Sequence, residues 1–376
     1  MIRKSFKYRL YPNNKQATLL DKHFGCVRFI YNWGLAEKTK VYQETGKSLS
    51  RYDLQNKLPE MKKTDNPWLC EVNAQSLQSA LTNLDRAFLN FFKHKAKFPQ
   101  FKKKNGNQSF QIPQNGQIVF ETNKLIIPKF LEGIPCKISR QFIGKSKTIT
   151  ISKTTTGKYF ASVLVETLGE IPEKQPITPE STIGIDVGIK NFCVLSTGEK
   201  IDNPKYLKEN LKRLKILQHR ASKKKNGSKN RKKINLKVAK FYEKISNKRN
   251  DFLHKLTHRL TNENQIDSLA IENLNISGLL KNHCLAQAIS DVSWSKFYQQ
   301  LGYKSEWYGI NLLKIGRFEP SSRTCSCGII NTNLLLKNRK WTCSVCGLIH
   351  DRDILAAQNI KKFALISDNL KHSGLE

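Results

Sequence analysis

Three carboxylates in this sequence stand where a carboxylate is costly. Asp186 interrupts an apolar strand pattern, Ile183-Gly184-Ile185-Asp186-Val187. Glu272 ends a second apolar run, Leu269-Ala270-Ile271-Glu272. Asp353 opens a helical pattern that continues Ile354-Leu355-Ala356-Ala357. A charge among β-branched neighbours is unfavourable unless something compensates it. Divalent cations do so. Two hard cations about 4 Å apart, held by Asp and Glu, activate a water and stabilise the leaving oxygen in phosphodiester cleavage. Each acid alone has a plainer reading as a strand-end or helix-cap residue, and Asp353 before Ala356-Ala357 suits an N-cap or first turn. Spacing along the chain does not by itself bring the three together.

The cysteines offer a second chemistry. Four of nine crowd into Cys325-Ser326-Cys327-Gly328 and Cys343-Ser344-Val345-Cys346-Gly347, which bracket 15 residues. Two pairs of thiolates so placed suit a tetrahedral structural Zn2+ held by Cys325, Cys327, Cys343 and Cys346. The second arm has a two-residue spacer. The first has one, a tighter chelate, and a ribbon held by packing alone is the alternative. The odd total argues against a disulfide framework. Cys26, Cys70, Cys136, Cys193 and Cys284 are scattered and read as buried apolar residues.

The charge names a partner class. Lys plus Arg number 65 and Asp plus Glu 30 in 376 residues, a net +35. Such a surplus repels itself unless a polyanion compensates it. With 39% hydrophobic residues the chain can build cores, which excludes wholesale disorder. No apolar run approaches the ~18 residues of a membrane span, and Met1–Lys7 lacks the apolar core of a signal peptide. The expectation is an intracellular nucleic-acid-binding protein. A membrane-surface protein is the weaker reading, because the charge is not confined to one amphipathic helix. Between Lys205 and Arg249 stand 18 Lys or Arg against two acids, Glu209 and Glu243. Lys102, Lys103, Lys104, Lys223, Lys224, Lys225, Arg231, Lys232 and Lys233 are expected to meet backbone phosphates, which position a nucleic acid without reading it. Gln75 and Gln78, on one helical face, are candidates for base edges; a polar helix flank is the alternative.

These residues need a scaffold. Residues 1–11 alternate basic and apolar side chains and predict a strand, stopped by Pro12. A helix follows from Asn13-Asn14, and a second segment ends at Pro59. Leu77, Leu81, Leu84, Phe88 and Phe91 mark a helix from Asn73 to about Lys95. From 98 to 165 the period changes to two, in short runs at 117–120, 124–127, 148–152 and 159–165, which suggests a small barrel. Pro172, Pro176 and Pro179 mark the boundary between two halves. Beyond it, a buried strand pair from Ser181, two basic helices joined at 223–233, strands at 267–271 and 311–315, a helix at 289–306 and another from Asp353 predict a mixed α/β sheet.

The motifs carry a family resemblance. Gly184-Ile185-Asp186-Val187-Gly188-Ile189-Lys190-Asn191-Phe192 resembles the first RuvC motif of the TnpB proteins, RNA-guided nucleases of insertion sequences related to type V CRISPR effectors. Ile271-Glu272-Asn273-Leu274-Asn275 resembles the second motif. His350-Asp351-Arg352-Asp353 with Ala356-Ala357-Gln358-Asn359-Ile360 resembles the third. Residues 288–307 and 83–92 are also similar to this family, so the resemblance runs along essentially the whole chain in motif order. It implies a wedge-like β-barrel at 1–12 and 97–170 with a helical recognition insert at 13–96, and a linker at 171–180. It further implies an RNase H-like RuvC domain at 181–318 and 348–376, with a zinc-ribbon insert at 319–347. Asp186, Glu272 and Asp353 would be the catalytic acids and hold Mg2+. Guide RNA and target double-stranded DNA would be the partners, with cutting beside a short adjacent motif, in the prokaryotic cytoplasm and associated with the nucleoid. The chain departs from the family at Leu355, usually Asn, and at the one-residue cysteine arm. A guided DNA-binding regulator without cleavage is the alternative. DNA-strand transfer is disfavoured, because no His-x-His pair exists among the eight histidines.

Overall fold

The computed structural model describes residues 2–167, 169–263, 266–335 and 338–372. The chain forms two compact units, Met1–Glu170 and Ile171–Glu376.

The first unit opens with strand β1 (Ile2–Leu10) and helix α1 (Asn14–Thr45). Asn13 Oδ1 accepts from the Gln16 N–H at 2.8 Å, and Gln16 Oε1 accepts from the Asn13 N–H at 3.1 Å. This reciprocal box fixes the helix start, and Gly46 in the left-handed region (φ 68°) ends it. Helix α2 (Arg51–Lys63) runs through Pro59 instead of ending there. Pro59 is exposed, so the carbonyl deprived of its partner lies on the solvent side. Helix α3 (Ala74–Phe92) starts at its Asn73 cap and buries Leu77, Leu81 and Leu84. Then come β2 (Gln108–Ile112), β3 (Gln117–Val119), β4 (Lys124–Ile127), β5 (Phe130–Lys137), β6 (Lys145–Lys153) and β7 (Tyr159–Thr167). With β1 they make one antiparallel sheet in the order β2-β6-β7-β1-β5-β4-β3. Tyr159, Ala161, Val163 and Val165 alternate inward along β7 onto the core that α1 and α3 cover. Strand β5 escapes the periodicity because Gly133 (φ 76°) and Pro135 lie inside it and read as breakers.

The second unit is built on β8 (Thr182–Val187), β9 (Asn191–Leu195) and β10 (Lys200–Asp202). Helices α4 (Tyr206–Ser222) and α5 (Lys229–His258) precede β11 (Ser268–Ile271). Then follow α6 (Ile276–Leu279), α7 (Ala286–Val292), α8 (Trp294–Tyr308) and β12 (Asn311–Lys314). A small hairpin, β13 (Lys340–Thr342) and β14 (Ile349–Asp351), leads into α9 (Arg352–His372). The sheet order is β10-β9-β8-β11-β12. Strands β8, β9 and β10 are antiparallel, while β11 and β12 run parallel to β8. Two apolar clusters cover its faces. One takes Ile183, Ile185, Leu269 and Ile271 with residues of α5 and α8; the other takes Ala270 with Ile360 and Ala364 of α9.

Several expectations need correction here. The helix predicted at 289–306 is two helices, because Ser293 stands in the left-handed region (φ 61°) between α7 and α8. The joint predicted at 223–233 is shorter. Ser228 Oγ accepts from the Arg231 N–H and caps α5, so Arg231, Lys232 and Lys233 are helical. The ribbon hairpin reaches Asp351 instead of closing at 347, since β14 pairs with β13. Of the scattered cysteines, Cys26, Cys136 and Cys193 are buried, but Cys70 and Cys284 are exposed. Cys70 points outward because its neighbour Leu69 takes the inward position.

Candidate active site and metal centre

Strand alternation decides where the acids face. Ile183, Ile185 and Val187 point to the α5–α8 side, so Gly184 and Asp186 point to the α9 side. Ala270 points there too, and with it Glu272 one pleat on. Ile271 is in register with Ile185, which sets Glu272 beside Asp186 on the neighbouring strand. Helix α9 comes down on this face with unusual closeness. A Cβ on Gly184 would stand 2.0 Å from the Ala357 carbonyl oxygen. The small residues Gly184, Ala356 and Ala357 therefore set the approach that carries Asp353, in the first turn of α9, to the same place. Asp186, Glu272 and Asp353 line one cavity of about 510 Å3, together with Trp294, Arg339 and Arg352.

The three carboxylates are differently held. Burial pushes the Asp186 carboxyl well above the usual range, and the charges of Glu272 and Asp353 push it further, against the pull of Arg352 and Arg339. Burial also raises Glu272, while the Ser321 hydroxyl, donating to its Oε1 at 2.8 Å, opposes this. Arg339 Nη1 donates to both oxygens of Asp353, at 3.0 and 3.2 Å. Asp351 is separate. Its Oδ1 accepts from the N–H groups of Asp353 and Ile354, and Lys200 Nζ lies 2.6 Å from its Oδ2. Burial works against its ionisation, but Lys200 and the two N–H groups prevail and hold it below the usual range. Asp351 thus caps α9, the role open to Asp353 from the sequence, and Asp353 is left facing the cavity.

Uncompensated buried acid is what a hard cation satisfies. Two buried donors nearby, Trp294 Nε1 and Tyr298 Oη, have no partner among the described residues. Burial, then Glu272 and Asp186, keeps the Tyr298 phenol protonated far above its ordinary range. The sequence does not single out Ser321, Tyr298 or Arg339. Nothing in their local pattern distinguishes them; only the fold brings them to the acids.

The ribbon cysteines do converge. The four sulfurs lie within 4.8 Å of one another. Cys325 Sγ is 3.5 Å from Cys346 Sγ, and Cys327 Sγ is 3.7 Å from Cys343 Sγ. Two thiolates on one tetrahedral Zn2+ stand about 3.8 Å apart, so the set fits such an ion. N–H groups of Cys346 and Val345 lower the Cys343 thiol to about 6. Leu355 packs with Cys325, Leu334, Trp341 and Cys343 in the ribbon's own core. The departure at this position therefore serves the ribbon and leaves the acidic cavity untouched.

The basic and amide candidates are dispersed. Lys102, Lys103 and Lys104 are all exposed, and Lys102 is also tethered: its ammonium lies 3.9 Å from the Tyr31 ring centre and Asn32 holds its backbone. Lys223, Lys224 and Lys225 occupy the exposed α4–α5 turn. Arg231 Nη1 donates to the Lys224 carbonyl and shapes that turn. Lys224 and Lys233 line a second cavity of about 430 Å3 with Lys237 and Lys240; Lys232 is exposed. Gln75 is half-buried with its Oε1 out of solvent, and Gln78 is exposed.

The architecture resembles a solved structure titled "Cryo-EM structure of the Cas12f1-sgRNA-target DNA complex". The TM-score is 0.57 over 93% of this chain and 83% of that one, at 15% identity, which is a likeness of fold. Residues 294–360 match the "Cas12f1-like, TNB domain", 162–283 the family described as "Probable transposase", and 1–47 a "Helix-turn-helix domain". The last stretch is here one strand and one unbroken helix, β1 and α1. A protein of Streptomyces pristinaespiralis named "Putative RNA-guided DNA endonuclease" is 39% identical over 96% of this chain and 89% of its own length. "Putative RNA-guided DNA endonuclease InsQ" of Escherichia coli (strain K12) is 30% identical over 95% and 91%. "TnpB-like protein L79" of Acanthamoeba polyphaga mimivirus is 24% identical over 96% and 73%. The chain belongs to the TnpB family.

Proposed function

We propose that this protein is an RNA-guided, Mg2+-dependent DNA endonuclease of a mobile element, cutting beside a short adjacent motif with one acidic site. The observation that carries the reading is the opening of Asp186, Glu272 and Asp353 onto one cavity in a chain of net charge +35. The full-length relatives named as RNA-guided DNA endonucleases support it. The presence of all three acids weighs against a binding-only regulator. The sheet order β10-β9-β8-β11-β12, with its hairpin start and parallel end, supports an RNase H-like (RuvC) reading of the second unit. Gly116, against Ile149 of β6, draws the β3 end of the first sheet towards its other edge and supports a barrel there.

On this reading Asp186, Glu272 and Asp353 hold Mg2+, which supplies water activation and charge neutralisation at the scissile phosphate. Ser321 orients Glu272. Arg339 holds Asp353 in the free protein and faces the cavity the phosphate enters. The cysteine ribbon holds a structural Zn2+, and the exposed lysines of the α4–α5 turn track guide RNA or target DNA through its phosphates.

The test is to sequence RNA that copurifies with the protein expressed from its locus. The complex is then offered a plasmid library randomised beside a guide match, with Mg2+. Cleavage with an enriched flank is expected, and Asp186→Ala should abolish it while sparing DNA binding. Undiminished cutting by Asp186→Ala sinks the site; no discrete RNA sinks the guided reading.

A further inference from the structure

The two arms of the cysteine ribbon close differently. In the second arm the Gly347 N–H donates to the Cys343 carbonyl at 3.0 Å, four residues back. The first arm is one residue shorter, and its Gly328 N–H donates to the Cys325 carbonyl at 2.9 Å, three residues back. Cys325 is also 1% exposed, so water does not reach its sulfur.

His350 stands beside that sulfur. It is buried in β14, opposite Trp341 in register, with the ring centres 4.8 Å apart. Its Nε2 lies 3.0 Å from Cys325 Sγ. A nitrogen and a sulfur bound to the same tetrahedral Zn2+ would stand about 3.6 Å apart, so the contact is a hydrogen bond and His350 is not a fifth ligand. A thiolate holding Zn2+ would have no proton to give, so on the zinc reading the hydrogen resides on Nε2.

We propose that His350 is a positioning residue of this metal centre, donating its Nε2–H to the buried Cys325 thiolate of the shortened arm. The proposal rests on the zinc reading above. Partners of this kind orient ligands and disperse thiolate charge. The bond also ties the first cysteine arm to β14, the strand that leads into α9.

The test uses the full chain with its RNA and two variants. His350→Phe keeps a ring against Trp341 but has no donor; His350→Gln keeps an N–H at similar reach. Zinc affinity is read by competition with a chromophoric chelator. A Co2+-loaded sample reports the thiolate-to-metal charge-transfer band. His350→Phe is expected to weaken zinc binding about 10- to 100-fold and to shift the cobalt band, with His350→Gln restoring both most of the way. Unchanged affinity and band in His350→Phe overturn the proposal, as does a His350→Gln protein as weak as His350→Phe, which would show that an N–H at this position is not what the site needs. If His350→Phe fails to fold, His350→Leu against His350→Gln reads the same contrast. A wild-type chain that takes up neither ion refutes the zinc reading itself, a different outcome from a metal-binding wild type with indifferent variants.

Discussion

Gly184→Ala tests whether the spacing between β8 and α9 sets the acidic site. The added Cβ would lie 2.0 Å from the Ala357 carbonyl oxygen and 2.9 Å from the Lys361 nitrogen, both backbone atoms of α9. Real Cβ contacts essentially never fall under 3.0 Å, so the helix or the strand must withdraw by about 1 Å, since packed interiors have no slack to absorb it. Overpacking of this kind costs about 1–3 kcal/mol, occasionally more. For a unit of this size each kcal/mol lowers the melting temperature by about 2–4 °C. The functional loss should be larger than the loss of stability suggests. The moving helix carries Asp353 while Asp186 rides on the strand, and a misplacement of about 1 Å can cost about 100-fold in rate. Nucleic-acid binding should survive, because the exposed lysines lie elsewhere. Gly302→Ala is the control. Nothing stands within 4 Å of its added Cβ, and alanine in mid-helix should stabilise by about 0.5–1 kcal/mol. Cleavage at the wild-type rate by Gly184→Ala, with an unshifted melting curve, would refute the argument.

Asp186→Asn should abolish cleavage yet raise the metal-free melting temperature at pH 7. An unfolded Asp ionises at about pH 3.9, and holding its proton one pH unit higher in the fold is worth about 1.4 kcal/mol. Because Asp186 is raised in the fold, the unfolded chain loses its proton first, and the acid destabilises the fold as pH climbs from the unfolded value through the folded one. The gain from Asn should therefore shrink towards pH 4; a lower melting temperature at pH 7 contradicts this. Asn359→Ala removes two bonds, to the Ser321 and Thr324 carbonyls, each 2.7 Å long and buried. Chemical denaturation should show a loss of about 2–3 kcal/mol from the orphaned carbonyls, and a loss below about 0.5 kcal/mol counts against it. Replacing Lys223, Lys224 and Lys225 together with Ala should flatten the dependence of log K on log salt by about 2–3, at roughly 0.7–0.9 per phosphate contact. An unchanged slope removes that turn from the interface.

The parts legible in the sequence share one property: their signal is local. The stripe Leu77, Leu81, Leu84 announces α3, and Asn13 with Gln16 announces the start of α1. The apolar runs ending at Asp186 and Glu272 announce β8 and β11. What escaped depends on distant context. Strand β5 holds Gly133 and Pro135 because its neighbours supply the pairing. The α7–α8 break at Ser293 has no glycine or proline to mark it. Ser321 reaches Glu272 across 49 positions, and Arg339, just before β13, meets Asp353 in the first turn of α9. Which of Asp351 and Asp353 caps α9 turns on hydrogen bonds that two residues of identical type could equally make.

The close packing of α9 on β8 also has a consequence in time. Asp186 and Asp353 are 353 − 186 = 167 residues apart. At about 5–20 residues per second of synthesis, they leave the ribosome on the order of 10–30 s apart. Throughout that interval the earlier strand has no helix to cover its Gly184 face, and the buried acid has no third partner. On the proposed reading, the first unit and the lysine-rich hairpin are available to RNA well before a cutting centre exists. A newborn chain is thus a nucleic-acid binder before it is a nuclease, and its guide can be in place before the last acid arrives.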